Sequence, residues 1–528
     1  MKKKQVDLIV HNAIVYTVDT AFSIAQSFVV ENGKILDVGS NTYILSRYEA
    51  NEMLDAGGKV VYPGFIDAHC HFYGYGTNLM RIDLKGTKSF AEVINRVQEQ
   101  QDKKIGGWIW GRGWDQNEWE IKEYPDNTVL DSLFPDTPVF LQRIDGHAAI
   151  VNSKALSLIN RDWNKDIEGG EIVRRDGKLT GLLIDTAADT VKAIIPVLSS
   201  EEKRQALLAA QRDCFAVGLT TVTDAGYSAD ETIDIFSIIK ELQSEGELQM
   251  RIYAMIDWSE ENAKHFFKQG IYKDEKLNIR SFKLYSDGAL GSRGAYLLEP
   301  YNDKPESNGL LLYKIDYLKH IADQIAETDF QLNTHSIGDS SARIIIAIYG
   351  TALGINNTRR WRLEHAQVIH PDDLKKFKVY NIIPSVQTTH ATSDMGWAAE
   401  RLGPERVKNA YAYKKLLNAA GIIANGSDFP VEDINPLYGF YAAIARKDLA
   451  GNPKGGFQME NSLTREEALH AMTIWAAYAN FEEDEKGSIE KGKFADFVIL
   501  NKDIMTIDEA EIPVTKVTNT YISGKKVY

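Results

Sequence analysis

The chain reads Val60-Val61-Tyr62-Pro63-Gly64-Phe65-Ile66-Asp67-Ala68-His69-Cys70-His71, an apolar run that ends in two imidazoles separated by one residue. In an extended strand, the side chains of residues i and i+2 point the same way, so His69 and His71 can reach one ion. A His-x-His pair by itself is more often a surface feature than a metal site. Its interpretation therefore depends on whether the same layout recurs downstream.

The layout does recur, because four later apolar runs end in a potential ligand or base: Lys283, His335, His365 and Asp428. Strand-like runs from the first pair onward lie at residues 65–71, 220–226, 250–256, 280–284, 330–335, 362–365, 382–387 and 422–428. Amphipathic helical patterns at 200–217, 315–328 and 371–378 lie between several of them. Eight strands alternating with helices predict an α/β fold, a (β/α)₈ TIM barrel. The five chemically loaded positions then fall at the carboxyl ends of strands, where barrel enzymes build their active sites.

Six longer motifs are spread over nearly the whole chain: Pro63-Gly64-Phe65-Ile66-Asp67-Ala68-His69-Cys70-His71, Gly111-Arg112-Gly113-Trp114-Asp115-Gln116, Arg143-Ile144-Asp145-Gly146-His147-Ala148-Ala149, Ser286-Asp287-Gly288-Ala289-Leu290-Gly291-Ser292-Arg293, Arg362-Leu363-Glu364-His365-Ala366-Gln367 and Gly426-Ser427-Asp428-Phe429-Pro430. Together with the strand-end residues, they resemble the metal-dependent amidohydrolase superfamily, and more narrowly the branch with N-substituted formamide deformylase (amidohydrolase family 3). Two positions depart from that branch: Ser336 stands where Ala is usual, and Asp185 where Glu is commoner. Neither is a metal ligand, so they bear on substrate choice and leave the reaction class unchanged.

The resemblance implies a zinc site with one or two ions, although another divalent metal is compatible with the same ligands. His69, His71, His335 and His365 are the expected imidazole ligands, listed with Lys283 and Asp428. Asp428 is either the remaining ligand or the general base that passes a proton to the leaving nitrogen. An ammonium has no lone pair for a metal, so Lys283 must be neutral or carry CO₂ as a carbamate that bridges two ions.

The expected function is hydrolysis of a carbon–nitrogen bond other than a peptide bond, in a small amide or N-substituted formamide. Bound Zn²⁺ lowers the pKa of water from ~15.7 to about 7, and the resulting metal-bound hydroxide attacks the carbonyl while Asp428 shuttles the proton. One alternative is a cyclic amide, ester or lactone on the same metal site. A second, from another class, is a non-catalytic binding or regulatory barrel. The metal ligands alone do not distinguish a hydrolase of this kind from an isomerase or a deaminase.

Further polar residues near the expected site are candidates for substrate binding: Trp114, Asp115, Arg143, His147, Asp287, Arg293, Gln387 and His390. Packing explains some of them equally well. The clustered tryptophans can build the core of an insertion, Asp287 and Arg293 can pair with each other, and Gln387 and His390 can be hydrogen-bonded packing residues at the barrel mouth. Arg143, Asp145 and His147 alternate and would share one face of an extended segment.

Both chain ends contain strand-like runs, at residues 6–17, 28–38, 494–500 and 517–528, with hairpin signals at Glu31-Asn32-Gly33 and Ser523-Gly524. We expect the ends (1–62 and 485–528) to form one small β-sandwich beside a barrel at 63–484. The connection between residues 71 and 220 is far longer than a usual βα loop, which predicts an insertion domain at about 105–190. Since it leaves from the active-site face, it is expected to cover the site.

The bulk composition is compatible with a soluble enzyme that acts on small molecules. The chain has 528 residues, 44% hydrophobic and 25% charged, and a formal net charge of −14, which argues against nucleic acid or an anionic membrane as partner. Two cysteines, Cys70 and Cys214, give no disulfide framework and fit a reducing compartment. The sequence has neither an apolar signal core after its first lysines nor a run of ~20 apolar residues, so a cytoplasmic location is expected, with a homodimer left open.

Overall fold

The chain folds around a parallel barrel, seen here in a computed structural model that describes residues 2–144, 146–168 and 170–528. Its eight strands, labelled β1 to β8, are Phe65–Cys70, Leu219–Asp224, Arg251–Asp257, Leu277–Tyr285, Gln331–Ser336, Arg362–His365, Ile383–Gln387 and Ala424–Gly426. Each strand pairs in parallel with the next one along the chain. The chain after β8 returns to β1, where the Asp428 amide donates to the His69 carbonyl over 2.7 Å. The barrel is therefore nearly closed, which confirms the eight predicted strands.

Helices alternate with these strands, and each buries one apolar face. In the helix Ile315–Ala326, for example, the buried residues are Leu318, Ile321, Ala322 and Ile325, the three- and four-residue spacing of one helix face. The other helices of this part of the chain are Ser200–Ala216, Thr232–Glu245, Glu260–Gln269, Asp339–Leu353, Pro371–Val379, His390–Asp394, Ala398–Arg406, Tyr413–Ala420, Pro436–Ala445, Arg465–Ala471 and Ile474–Ala479. Within the described part of the chain, no helix combines the length and apolarity needed to cross a bilayer.

The chain ends form two further sheets, one of N-terminal strands only and one that combines strands of both ends. One sheet has the strand order Lys34–Gly39, Ser27–Glu31, Lys4–His11, Tyr48–Asp55, and the short helix Asn41–Arg47 lies in the same segment. The other has the order Lys525–Lys526, Val517–Ile522, Phe497–Leu500, Val60–Pro63, Ile14–Tyr16, Ile24–Ala25. Val30, Val61, Phe497 and Tyr521 belong to one buried apolar cluster, so residues from both ends share a core.

Gly64 divides the apolar run that carries His69. Residues Val60–Pro63 pair with Phe497–Leu500, whereas Phe65–Cys70 form β1 of the barrel. A Cβ atom on Gly64 would lie 2.2 Å from Oγ1 of Thr220, a distance that real contacts do not reach. The apolar run therefore divides at Gly64 into strands of two different sheets, and the close approach of Thr220 leaves no room for a side chain at this position.

Residues Tyr73–Ala210 form a compact unit of their own, while Met1–Phe72 and Gln211–Tyr528 form the other. The smaller unit contains a sheet with the order Lys104–Ile105, Trp108–Trp114, Val139–Arg143, Ala148–Val151, Lys178–Asp185, Gly170–Arg175, and Ile82–Asp83 also pairs with Trp108–Trp114. Its helices include Phe90–Glu99, Thr128–Leu133, Ser153–Ser157 and Thr186–Lys192, and Phe72–Leu79 leads into it. The predicted domain boundaries near residues 62 and 484, and the insertion limits of about 105–190, stay predictions.

Candidate metal centre

The predicted metal ligands lie at the carboxyl ends of five barrel strands. His69 lies in β1, Lys283 in β4, His335 in β5 and His365 at the end of β6. His71 follows β1 directly, and Asp428 lies two residues beyond the end of β8. Because all barrel strands run in one direction, these ends meet at one rim.

The side chains gather at one point of that rim. One ligand atom each from His69, His365 and Asp428 lies within 4.8 Å of the other two. Oδ1 of Asp428 is 3.5 Å from Nε2 of His69 and 3.3 Å from Nε2 of His71. The ring of His335 lies 4.5 Å from that of His365, between centroids. Four imidazoles and a carboxylate from distant parts of the chain are thus brought together.

Burial keeps three of these imidazoles neutral. It lowers the pKa of His69 to about 4 and that of His335 to about 3, with a further contribution from the nearby Lys283. Burial and the His335 ring also hold the pKa of His365 well below its usual value. A neutral imidazole has the free lone pair that a metal ion requires.

Asp428 supplies the negative charge of the cluster. Burial opposes ionisation of its carboxyl group, yet hydrogen bonds from His390 and His71 hold its pKa well below the usual range. Its backbone is left-handed, with φ 61°, and so is that of His365, with φ 70°. Residues other than glycine adopt this conformation at a cost, and such strain gathers at functional sites.

These donors fit a divalent metal ion. Nε2 of His335 is buried without a hydrogen-bond partner in the described structure, although it faces the ring of His365. Neutral imidazoles with one carboxylate are the donor set of catalytic zinc and related transition-metal sites. His69, His365 and Asp428 can therefore hold a metal ion together, and His71 and His335 as further ligands stay predictions.

Two polar groups behind the ligands fix the histidine rings. Glu364 accepts a hydrogen bond from Nδ1 of His69, and Oε1 of Gln387 lies 2.7 Å from Nδ1 of His365. Such partners hold the proton on Nδ1, so that Nε2 is free to face a metal. The predicted site residue Gln387 thus contacts a ligand directly, and its contact with substrate stays a prediction.

Glu364 was missed by the sequence analysis as a site residue. It is fully buried, and Arg362 lies 2.8 Å from it, Nε to Oε1. Burial opposes its ionisation, but the charge of Arg362 and the hydrogen bond from His69 hold its pKa at about 2. One feature of the sequence could have indicated Glu364. Arg362 and Glu364 alternate in a barrel strand, so both side chains point to the same face, and a charged group buried there needs a partner.

Lys283 lies inside the same cluster. Only 1% of the residue is exposed, and its Nζ is 3.4 Å from Nε2 of His69 and 4.8 Å from the ring centre of Tyr285. Burial lowers the pKa of its amine. A neutral amine is the form that can add CO₂, as the predicted carbamate requires.

Asp287 and Arg293, which follow β4, do not pair with each other. The Asp287 carboxylate accepts backbone N–H groups from Ile337 at 3.0 Å and Gly338 at 2.8 Å, and lies 3.8 Å from Nε2 of His335. Arg293 instead forms an ion pair with Asp303 over 2.7 Å. Asp287 therefore holds the segment after β5 in place, and substrate contacts by either residue stay predictions.

Two predicted residues of the smaller unit have internal roles there. Trp114 is 1% exposed, packs against Trp119 in an apolar cluster, and donates from Nε1 to the Leu141 carbonyl over 2.8 Å. Arg143, at the end of the strand Val139–Arg143, donates to Asp115 over 2.6 Å, directly after the neighbouring strand Trp108–Trp114. Trp114 thus belongs to the core of the smaller unit, as one interpretation of the clustered tryptophans predicted. Substrate contacts by Asp115 and Arg143 stay predictions.

His147 lies at an exposed position of the same unit, with Nδ1 2.8 Å from Oδ1 of Asp185. Asp185, one of the two positions expected to depart from the family pattern, is thus a partner of His147. Asp145 lies outside the described residues. A substrate contact by His147 stays a prediction.

His390 lies beside the metal ligands. It begins the helix His390–Asp394 after β7, and its ring stacks over that of His365 at 6.1 Å with an interplanar angle of 14°. Nε2 is 3.6 Å from Oδ2 of Asp428, and Nδ1 is 3.0 Å from Oε1 of Glu432. Burial opposes protonation, yet these two carboxylates raise the pKa of His390 to about 10.

A parallel barrel with a histidine and carboxylate cluster at the carboxyl ends of its strands defines a metal-dependent hydrolase. The chain belongs to the amidohydrolase family, whose sequence profile matches residues 52–528. The resemblance drawn from the sequence motifs is thereby confirmed, and the protein is a hydrolase of carbon–nitrogen bonds.

Similar proteins align along nearly the full chain. Protein LONG AFTER FAR-RED 3 of Arabidopsis thaliana is 34% identical over 99% of this chain and 91% of its own length. Putative amidohydrolase YtcJ of Bacillus subtilis is 31% identical over 98% of both chains. N-substituted formamide deformylase of Arthrobacter pascens is 26% identical over 98% of this chain and 97% of its own. An uncharacterized metal-dependent hydrolase from Pyrococcus horikoshii OT3 superposes with a TM-score of 0.79 at 27% identity, covering 95% of this chain and 99% of that one.

Proposed function

We propose that this protein hydrolyses the carbon–nitrogen bond of a small amide, with N-substituted formamides as the leading substrate class. The convergence of His69, His365 and Asp428 within 4.8 Å carries the proposal, because it gathers metal-binding donors at the rim where barrel enzymes act. The full-length similarity to N-substituted formamide deformylase supports the substrate class. The products would be formate and the free amine.

We assign zinc to the cluster, held by the four imidazoles His69, His71, His335 and His365 together with Asp428. When bound there, zinc would lower the pKa of water to about 7 and polarise the substrate carbonyl. Asp428 is ionised and buried, so its free oxygen can take a proton from the attacking water and deliver it to the nitrogen as the C–N bond breaks. His390 beside it can hydrogen-bond the reacting carbonyl.

In this proposal, the chemical state of Lys283 determines whether the site holds one metal ion or two. As a carbamate it carries two oxygens and a negative charge, which allows a second ion beside the first. As a free amine it offers one neutral nitrogen, and a single ion is then expected. Its position 3.4 Å from His69 supports either role as a neighbour of the ligands.

We also propose that the two sheets made from both chain ends form one β-sandwich domain. Their shared apolar cluster, with Val10, Phe28, Val61 and Phe497, supports this arrangement. The sandwich would stabilise the barrel without taking part in the chemistry.

The test is metal analysis of the purified protein, followed by a hydrolysis screen with N-substituted formamides and other small amides. Formate and amine are measured separately, so that a deaminase, which releases ammonia, is recognised. Asp428→Asn keeps the shape of the side chain but cannot hold the proton, and a loss of turnover of about 10²-fold or more is expected. Asp433→Asn is the matched control, because Asp433 is exposed and only caps the Asn435 amide over 2.9 Å. Full turnover by Asp428→Asn would refute the proton-transfer role.

A further inference from the structure

Glu432 lies behind His390 on the side away from Asp428. Its Oε1 is 3.0 Å from Nδ1 of His390 and also accepts the Ser393 hydroxyl over 2.6 Å. Both the His390 and the Glu432 side chains are largely buried, with 12% and 19% exposed. The ring of His390 is therefore held from one edge by Glu432 and faces Asp428 with the other.

The two residues come from different loops, which makes the contact informative. His390 begins the helix after β7, whereas Glu432 lies in the loop after β8, four residues beyond Asp428. Without Glu432, the His390 ring can rotate about its Cβ–Cγ bond, because a terminal sp³–sp² torsion has a broad energy profile. A hydrogen bond to Nδ1 selects one rotation and leaves Nε2 directed at Asp428.

We infer that Glu432 is a positioning residue for the reaction, which orients His390 so that Nε2 faces Asp428 and the substrate. The inference rests on the proposed amide hydrolysis for its effect on rate. Glu432 is not an expected metal ligand. It is the third residue in a row of side-chain contacts that runs from Asp428 through His390 to Glu432. Misplacement of a catalytic group by about 1 Å can cost ~10²-fold in rate, so the effect of releasing the ring is measurable.

A double-mutant cycle tests whether Glu432 acts through His390. In the wild-type background, Glu432→Ala is expected to lower kcat about 10- to 100-fold with little change in KM. Glu432→Gln keeps an oxygen that can accept from Nδ1, so it is expected to restore kcat to within about threefold of wild type. In a His390→Ala background, Glu432→Ala should cost nothing further, because contacting residues that act as a unit are not additive. An equal loss of kcat in both backgrounds would overturn the inference.

A spectroscopic readout keeps the test independent of turnover. The protein is labelled with ¹⁵N-histidine, and the His390 signals are assigned as those lost in His390→Gln. Glu432→Ala is expected to shift the Nδ1 signal of His390, whereas Glu405→Ala, at a glutamate with 81% of its side chain exposed, should not. Unchanged His390 signals in Glu432→Ala would refute the positioning contact. If wild type hydrolyses no amide, the proposed function fails, while these signals still decide the role of Glu432.

Discussion

Oε1 of Gln387 lies 2.7 Å from Nδ1 of His365, across neighbouring barrel strands β7 and β6. An amide oxygen only accepts hydrogen bonds, so Nδ1 of His365 carries the proton and Nε2 keeps its lone pair. The same arrangement recurs in β1, where Glu364 accepts from Nδ1 of His69. Gln387 and Glu364 thus each leave Nε2 of a histidine free to bind a metal ion, although neither residue is itself an expected ligand.

Gln387→Ala is predicted to weaken metal binding about 10- to 100-fold, because the His365 ring loses the partner that fixes its tautomer and direction. The affinity is measured by competition with a chromogenic chelator. Gln387→Glu keeps an accepting oxygen and should bind metal more tightly than Gln387→Ala. Equal affinities for wild type and Gln387→Ala would show that the contact does not prepare the ligand.

Gly426→Ala is predicted to disturb the metal centre through the backbone of β1. A Cβ atom at this position would lie 2.3 Å from the backbone nitrogen of His69 and 2.6 Å from Oδ1 of Asp67, so β8 must move away from β1. The expected result is weaker metal binding and a lower Tm. Gly396→Ala is the control, because a Cβ there meets nothing within 4 Å. Unchanged metal affinity in Gly426→Ala would contradict the close approach of the two strands.

The barrel could be predicted from sequence because its strands are short apolar runs that end in chemically distinctive residues. The positions of His69, Lys283, His335, His365 and Asp428 at strand ends follow from that pattern together with the parallel direction of the strands. The start of the first barrel strand at Phe65 was also predicted, but the close contact of Gly64 with Thr220 was not, because it joins residues distant in sequence.

The partners of the ligands were harder to predict than the ligands. Glu364 and Glu432 contact histidines that are distant in sequence. The residues next to a glutamate do not indicate which distant side chain it will contact. The pairing of Arg293 with Asp303 likewise depends on the path of the loop after β4, which sequence periodicity does not define.

A buried ion pair between barrel strand β3 and Asp496, the residue before the strand Phe497–Leu500, is predicted to contribute to stability. Arg251, at the start of β3, is 1% exposed, and its Nε lies 2.5 Å from Oδ2 of Asp496, which is itself buried. Arg251→Met leaves the Asp496 carboxylate buried without its cation, which costs about 3–5 kcal/mol in the free energy of unfolding. Urea unfolding measures the loss. Lys88→Met, which breaks the exposed pair with Glu118, should cost less than about 1 kcal/mol. A similar small cost for Arg251→Met would show that the pair contributes little.

The tyrosines around Asp503 predict a loss of stability at alkaline pH. The hydroxyls of Tyr16 and Tyr62 donate to the Asp503 carboxylate over 3.1 and 2.9 Å. Burial and the Asp503 charge raise the pKa of Tyr16 from 10.0 to about 12 and raise that of Tyr62 further. Above pH 10 the unfolded chain releases these protons and the folded chain retains them, so the free energy of unfolding falls as pH rises. The stabilising contribution is complete below pH 10 and is lost as pH rises through about 12.

Tyr62→Phe separates this effect from the other tyrosines. At pH 8.5 the variant should be about 1 kcal/mol less stable than wild type, because it lacks one buried hydrogen bond. Between pH 8.5 and pH 11 it should lose less stability than wild type, since it has one fewer group that titrates on unfolding. Urea midpoints at both pH values measure the difference, and Tyr528→Phe, at a residue that is 48% exposed, serves as the control. Equal losses in wild type and Tyr62→Phe would exclude Tyr62 as a cause of the alkaline loss.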